Sequence, residues 1–214
     1  MKVAVCFSGI PRGDVSRNIE LYRKAFPSAH FFFSTWNGYS IPNEKFTTYQ
    51  EPNSDHLEER ISKANLPPIK QRQQRHGYRQ IIGHSLQLLF DVPKEYDIII
   101  KCRYDVMINP DLSWQSEIEN TCRDMVQGYR WVCSPDTDYD WEKFRSVNWY
   151  EGVFDQMIIS RRKLLDIPNV FKLYQEGNLD PCEWGWKQVF GYHFIENQFG
   201  GLLRDPDYLL EEGV

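Results

Sequence analysis

The stretch Tyr96-Asp-Ile-Ile-Ile-Lys-Cys-Arg-Tyr-Asp-Val-Met-Ile-Asn-Pro-Asp111 decides how this chain is read. Its apolar run, Ile98 to Ile100, predicts a buried strand. The strand runs out into polar residues: Arg103, Asp105, Asn109 and Asp111. A core strand that ends in a cation and a carboxylate places charge at its carboxyl edge, which is where open α/β sheets bind ligands. One carboxylate beside one arginine suits a divalent metal with a phosphorylated ligand. The same two side chains also suit a plain turn in which they merely pair.

Working outward, strands and helices alternate. Lys2 to Phe7 and His30 to Phe33 read as strands, and between them Ser16 to Ala25 reads as a helix stopped by Pro27. Ser34 to Asn53 has no clear period and reads as a loop over the active edge. Asp55 with Glu58 three residues on is a capping-box pattern, so Asp55 to Asn65 reads as a helix ended by Pro67 and Pro68. Arg72 to Asp91 carries an apolar stripe through Tyr78, Ile81, Ile82, Leu86, Leu89 and Phe90, the signature of an amphipathic helix. Strands follow at Tyr96 to Lys101, Tyr129 to Cys133 and Val153 to Ser160. Short helices are expected at Arg161 to Asp166 and Asn169 to Glu176, and a longer one at Glu183 to Gln198. This alternation predicts one α/β domain over residues 1–214, with a mostly parallel central sheet and helices on both faces.

Composition narrows the function. At 214 residues the chain is long enough for a substantial core. A net charge of −5 argues against general binding to nucleic acid or an anionic membrane surface. No run of eighteen apolar residues offers a membrane span. The apolar part of the N-terminus, Val3 to Phe7, is too short for a signal peptide and is broken by Pro11. The five cysteines, Cys6, Cys102, Cys122, Cys133 and Cys182, form no Cys-x-x-Cys pair, so neither a zinc site nor a disulfide framework is indicated and a cytoplasmic location is expected. Seven tryptophans fit either core packing or flat platforms for sugar rings and bases.

Five constellations could carry chemistry. In the turn after the first strand, Ser8 and Gly9 allow close backbone approach and Arg12 brings a planar fork for phosphate, although neither a P-loop nor Gly-x-Gly-x-x-Gly is present. The start of the long helix is basic, with Lys70, Arg72, Arg75, His76 and Arg79. It suits a diphosphate, a nucleic-acid strip with Tyr78 as stacking group, or a solvated face. Asp136-Thr-Asp138 is an acidic loop that competes with Asp105 for a hard cation. Asp155 stands near the start of an apolar strand, where a carboxylate needs an ion pair or a role such as general base. Glu183 opens the last long helix beside Trp184 and Trp186; the helix dipole alone would favour an acid there.

Taken together, "CFSGIPR" (residues 6–12), "QRQQRHGYRQIIGHSLQLL" (71–89), "YDIIIKCRYDV" (96–106), "VFDQMIISRR" (153–162) and "PCEWGWKQVF" (181–190) resemble the small glycosyltransferases of the GT-A type. The likeness is to the WavE-like and related groups of surface-polysaccharide loci and phages. It implies a Rossmann-like fold with a nucleotide-binding part over about residues 1–112 and an acceptor part over about 113–214. It further implies transfer of a sugar from a nucleotide-diphosphate donor to a carbohydrate or other acceptor, with Mn²⁺ or Mg²⁺ as cofactor. By the same resemblance Asp105 is the metal ligand, and Ser8, Gly9, Arg12 and Arg103 lie against the donor, with Arg75 or Arg79 helping to hold phosphate. Asp155 and Glu183 are the sugar-contacting or catalytic carboxylates. The chain departs from the family's Asp-x-Asp at its first acid, which here is Arg103. Two rival readings are a non-catalytic nucleotide- or sugar-binding module of the same fold and a nucleic-acid-binding protein using the Lys70 to Arg79 strip.

Overall fold

The computed structural model describes residues 1–49, 55–65, 67–68, 71, 75, 91–120, 126–129, 157–165, 194–197 and 202–204. In chain order the strands are β1 (Val3–Ser8), β2 (His30–Trp36), β3 (Thr47–Tyr49), β4 (Ile98–Cys102), β5 (Val106–Ile108), β6 (Val126–Tyr129), β7 (Met157–Arg161), β8 (Phe194–Asn197) and β9 (Leu202–Arg204). The helices are α1 (Val15–Ala25), α2 (Asp55–Ala64), α3 (Trp114–Asn120) and α4 (Arg162–Leu165).

Among the described residues seven strands form one sheet in the order β3-β2-β1-β4-β7-β6-β8, and β5 with β9 makes a separate two-stranded ribbon. Neighbours in the large sheet are parallel except where β7 runs against both β4 and β6. The architecture is therefore α/β with a mostly parallel sheet.

The chain starts in the middle of this sheet. From β1 it crosses through α1 to β2 on one side, and β4 later fills the other side. The α1 crossover is set locally: the Asp14 side chain accepts from the Arg17 backbone N–H at 3.0 Å, capping the first turn. Its buried stripe, Val15, Asn18, Ile19 and Tyr22, faces a core built on β1 and β4. There the Phe7 ring meets Tyr22 edge-on at 4.8 Å and stacks on Tyr104 at 5.4 Å and Phe33 at 5.7 Å. Each such ring or branched side chain contributes about 1.5–3 kcal/mol on burial. Residues of the opposite pleat, Ala4, Cys6, Ile99 and Ile158, are buried as well. Both faces of the central strands are thus covered, which is why β4 reads as an unbroken isoleucine run rather than an alternating one.

Several expectations are corrected. The predicted helix Glu183 to Gln198 does not hold at its end, because 194–197 is strand β8, paired in parallel with β6. A helical pattern read locally yields here to a free strand edge, and Phe194 and Ile195 both suit a pleated surface. The segment read as a loop from Ser34 contains strand in two places. β2 continues through Ser34, Thr35 and Trp36 because each has a partner across the sheet, and 47–49 adds β3 at the edge. β6 starts at Val126, ahead of the expected Tyr129. The ribbon β5–β9 has no counterpart in the sequence reading. Most of the Arg72 to Asp91 helix, the start of the Val153 to Ser160 strand and the 169–176 helix lie outside the described residues.

Candidate functional site

Parallel register determines which residues meet at the carboxyl edge. Phe7 pairs with Cys102, and Ser8 pairs with Ser34. One step further along, the turn opened by Ser8 and Gly9 lies beside the turn of Arg103, Tyr104 and Asp105. This is the topological switch point, because the chain builds outward from β1 through β2 to β3 on one side and then returns to place β4 on the other. The edge thus gathers residues as far as 97 positions apart in the chain.

Arg103 and Asp105 form a two-point fork. Arg103 Nε donates to Asp105 Oδ1 at 2.9 Å and Nη2 donates to Oδ2 at 2.6 Å. The Asp105 side chain is only 6% exposed and that of Arg103 17%. A carboxylate so buried needs such a partner, and the planar guanidinium supplies it with fixed geometry.

The turn between them is anchored from beneath. Tyr104 is buried, and its hydroxyl lies 3.2 Å from the Phe7 carbonyl and 3.0 Å from that of Ser34, so it ties the ends of β1 and β2 to the turn. The Tyr104 carbonyl accepts from Asn18 Nδ2 at 2.8 Å, a buried bond from α1. Burial drives the Tyr104 phenol well above its ordinary pKa, so it stays a donor. Sequence reasoning missed both residues. The available signal was a polar Asn18 on an otherwise apolar helix stripe. Ser34 and Thr35 were likewise absent from the expected site; both are fully buried at the end of β2, and neither hydroxyl has a hydrogen-bond partner among the described residues.

Of the other expected residues, Ser8 closes β1 and is buried, and Gly9 follows it at φ +120°, a conformation that suits glycine. Among the described residues no atom lies within 4 Å of where a Cβ on Gly9 would stand, so they leave the backbone open there. Arg12 is half-buried in the same turn. Arg75 is forked onto Glu58 of α2, with both contacts at 2.6 Å. Asn109 turns the chain instead of facing a ligand: its side chain accepts from Asp111 N–H at 3.0 Å, and its carbonyl accepts from Trp114 Nε1 at 2.8 Å. Arg79, Asp155, Glu183 and the Asp136 to Asp140 loop lie outside the described residues.

Asp105 as it stands does not fit a metal ion. Both of its oxygens accept from the Arg103 fork, which already neutralises the carboxylate and would set its own positive charge against a divalent cation bound there. Among the described residues no three His, Cys, Asp or Glu side chains gather as a ligand set. Cys6 and Cys102 are buried in the sheet, and burial holds both thiols protonated well above their usual range, so they act as small core hydrophobes. A cavity of about 520 Å³ is lined by Lys94, Tyr96, Asp97 and Arg161 to Lys163 at the amino end of β4, the opposite end of the strand from this site. Among the described residues no helix is long and apolar enough to cross a membrane.

Neither a protein-family model nor a curated protein sequence matches the chain. Solved structures do. The galactosyltransferase LgtC, in complex with donor and acceptor sugar analogues, aligns over 90% of this chain and 72% of its own, with TM-score 0.51 and 11% identity. Staphylococcus aureus TarS, residues 1–349, aligns over 95% of this chain and 60% of its own, with TM-score 0.50 and 10% identity. A glycosyltransferase involved in glycosylating the major capsid of PBCV-1 covers 92% of this chain and 83% of its own at 14% identity, with TM-score 0.45. The first two define the class: this chain has the GT-A-type, Rossmann-like fold. At identities this low the likeness is one of fold.

Proposed function

We propose that this protein is a glycosyltransferase that moves a sugar from a nucleotide-diphosphate donor to a carbohydrate or other acceptor. The observation that carries the reading is the meeting of the Ser8 to Arg12 turn with Arg103 and Asp105 at the switch point of a GT-A-type sheet. In this reading the donor lies across the carboxyl ends of β1 and β4, and its diphosphate approaches the open backbone at Gly9. Arg12 and Arg103, with Arg75 or Arg79, supply cationic donors to phosphate. Residues to about 112 form the nucleotide part and the remainder the acceptor part.

The chemistry sets what the site must do. The bond from the anomeric carbon to the diphosphate oxygen breaks, and the leaving nucleoside diphosphate gains negative charge. Fixed cations near that oxygen lower the barrier. That charge is met by guanidinium groups, of which Arg103 and Arg12 stand at this edge. The acceptor hydroxyl gives up its proton to a carboxylate as its oxygen bonds the anomeric carbon, a role assigned to Asp155 with Glu183 on the acceptor side.

The test is release of nucleoside diphosphate from a panel of nucleotide sugars, with sugar acceptors present. Release from one donor class, lost in Asp155→Asn while thermal stabilisation by that donor persists, is the expected result. Stabilisation without release from any donor would make the protein a binding module of the same fold. No stabilisation by any nucleotide or nucleotide sugar would overturn the donor site.

A further inference from the structure

We infer that Arg103, held by Asp105, is the cation that receives the donor's diphosphate, and that Asp105 serves as the anchor of that arginine. The inference rests on the transferase reading and deepens it. Three observations carry it. The first is the fork itself: Asp105 engages Arg103 through two nitrogens at 2.9 and 2.6 Å, which fixes the plane of the guanidinium. Fixed planar forks are what bidentate phosphate recognition uses. The second is burial. Asp105 is more deeply buried than its arginine, 6% against 17% exposed, so the carboxylate lies behind and the cation lies nearer the surface.

The third observation is how the turn is supported. Tyr104, the residue between the pair, is tied by its hydroxyl to the ends of β1 and β2 and by its carbonyl to Asn18 of α1. The fork therefore rides on a turn pinned to three elements of the scaffold, which is the preorganisation that stabilising a developing charge requires. Register pairs Cys102 with Phe7, so Arg103 follows on the level of Ser8, beside the turn that Gly9 opens. Asn18 and Tyr104 are positioning residues in this arrangement.

Calorimetric titration of the full chain with individual nucleoside diphosphates tests it, each in EDTA and in Mn²⁺. The expected result is binding of one diphosphate with affinity nearly the same in both, weakened roughly 10- to 100-fold in Arg103→Ala, as for loss of hydrogen bonds to a charged group. Arg103→Lys keeps the charge without the fork and should fall between, which also covers the case in which the alanine variant fails to fold. Asp105→Asn, which keeps the shape but loosens the arginine, should weaken binding without creating a need for metal. Binding that requires Mn²⁺, is lost in Asp105→Asn and survives in Arg103→Lys would overturn the inference and leave the transferase reading standing. Metal-independent binding indifferent to Arg103 would also overturn it. Absence of binding in either buffer would overturn both.

Discussion

Between Arg103 and Asp105 stands a tyrosine that no motif singles out, yet its hydroxyl reaches two backbone carbonyls and its ring stacks on Phe7. Removing only that hydroxyl isolates the polar contribution. Tyr104→Phe leaves buried carbonyls of Phe7 and Ser34 without this donor, and the cost expected is about 1–3 kcal/mol. For a chain of this size each kcal/mol lowers the melting temperature by roughly 2–4 °C. Urea unfolding of wild type and variant, compared at equal m-value, measures it; an unchanged midpoint would show that the tyrosine packs without anchoring the turn. The two members of the fork were legible in sequence as an unusual cation and acid after a core strand. Their pairing with each other stood as one of two readings, and only the fold chose it, because residues two apart can point together or apart depending on the turn.

At the scale of elements, β4 is the member that holds the site in place. It pairs in parallel with β1 on one side and antiparallel with β7 on the other, and every residue from Ile98 to Cys102 is buried. Ile100 is fully buried in the same cluster as Phe7, Tyr104 and Met157. Ile100→Ala should therefore cost about 2–5 kcal/mol, the transfer term plus the cavity left in a close-packed interior. Equilibrium denaturation reads this directly. A loss under about 1 kcal/mol would mean that the surrounding side chains collapse into the space. By contrast, the Arg75–Glu58 fork is more than a third exposed on both sides, and solvent screening leaves such pairs worth little. Its short contacts with Glu58 contribute little to holding the fold.

Across the whole molecule, buried weak acids make stability depend on alkaline pH. Burial raises the pKa of Cys6, Cys102, Tyr22 and Tyr104 above their ordinary values. In the unfolded chain thiols ionise near about pH 8.5 and phenols near about pH 10, while in the folded protein these groups keep their protons. The folded state then binds more protons than the unfolded one, so stability falls as pH rises. Full stability is expected below about pH 8.5, with a progressive loss above it that steepens near about pH 10 as the phenols join. Urea midpoints across that range test the prediction; midpoints that stay level to about pH 10 would contradict it.

The class of fold and the edge at which to look were legible in the residues alone. An unbroken isoleucine run, a helix after the first strand stopped by proline, a capping box at Asp55 and the alternation of the two element types report local chemistry: side-chain period, backbone caps and burial on both faces of a pleat. Tertiary structure decided the rest. Whether 194–197 is helix or strand depended on the open edge of β6. The extension of β2 through Ser34 and Thr35 depended on partners in β1 and β3. Asn18 became a support for the site only because α1 lies against the turn after β4, 86 residues further along the chain. Such long-range hydrogen bonds and strand pairings leave no period and no spacing in the sequence, since they are set by which surfaces the folded chain brings together.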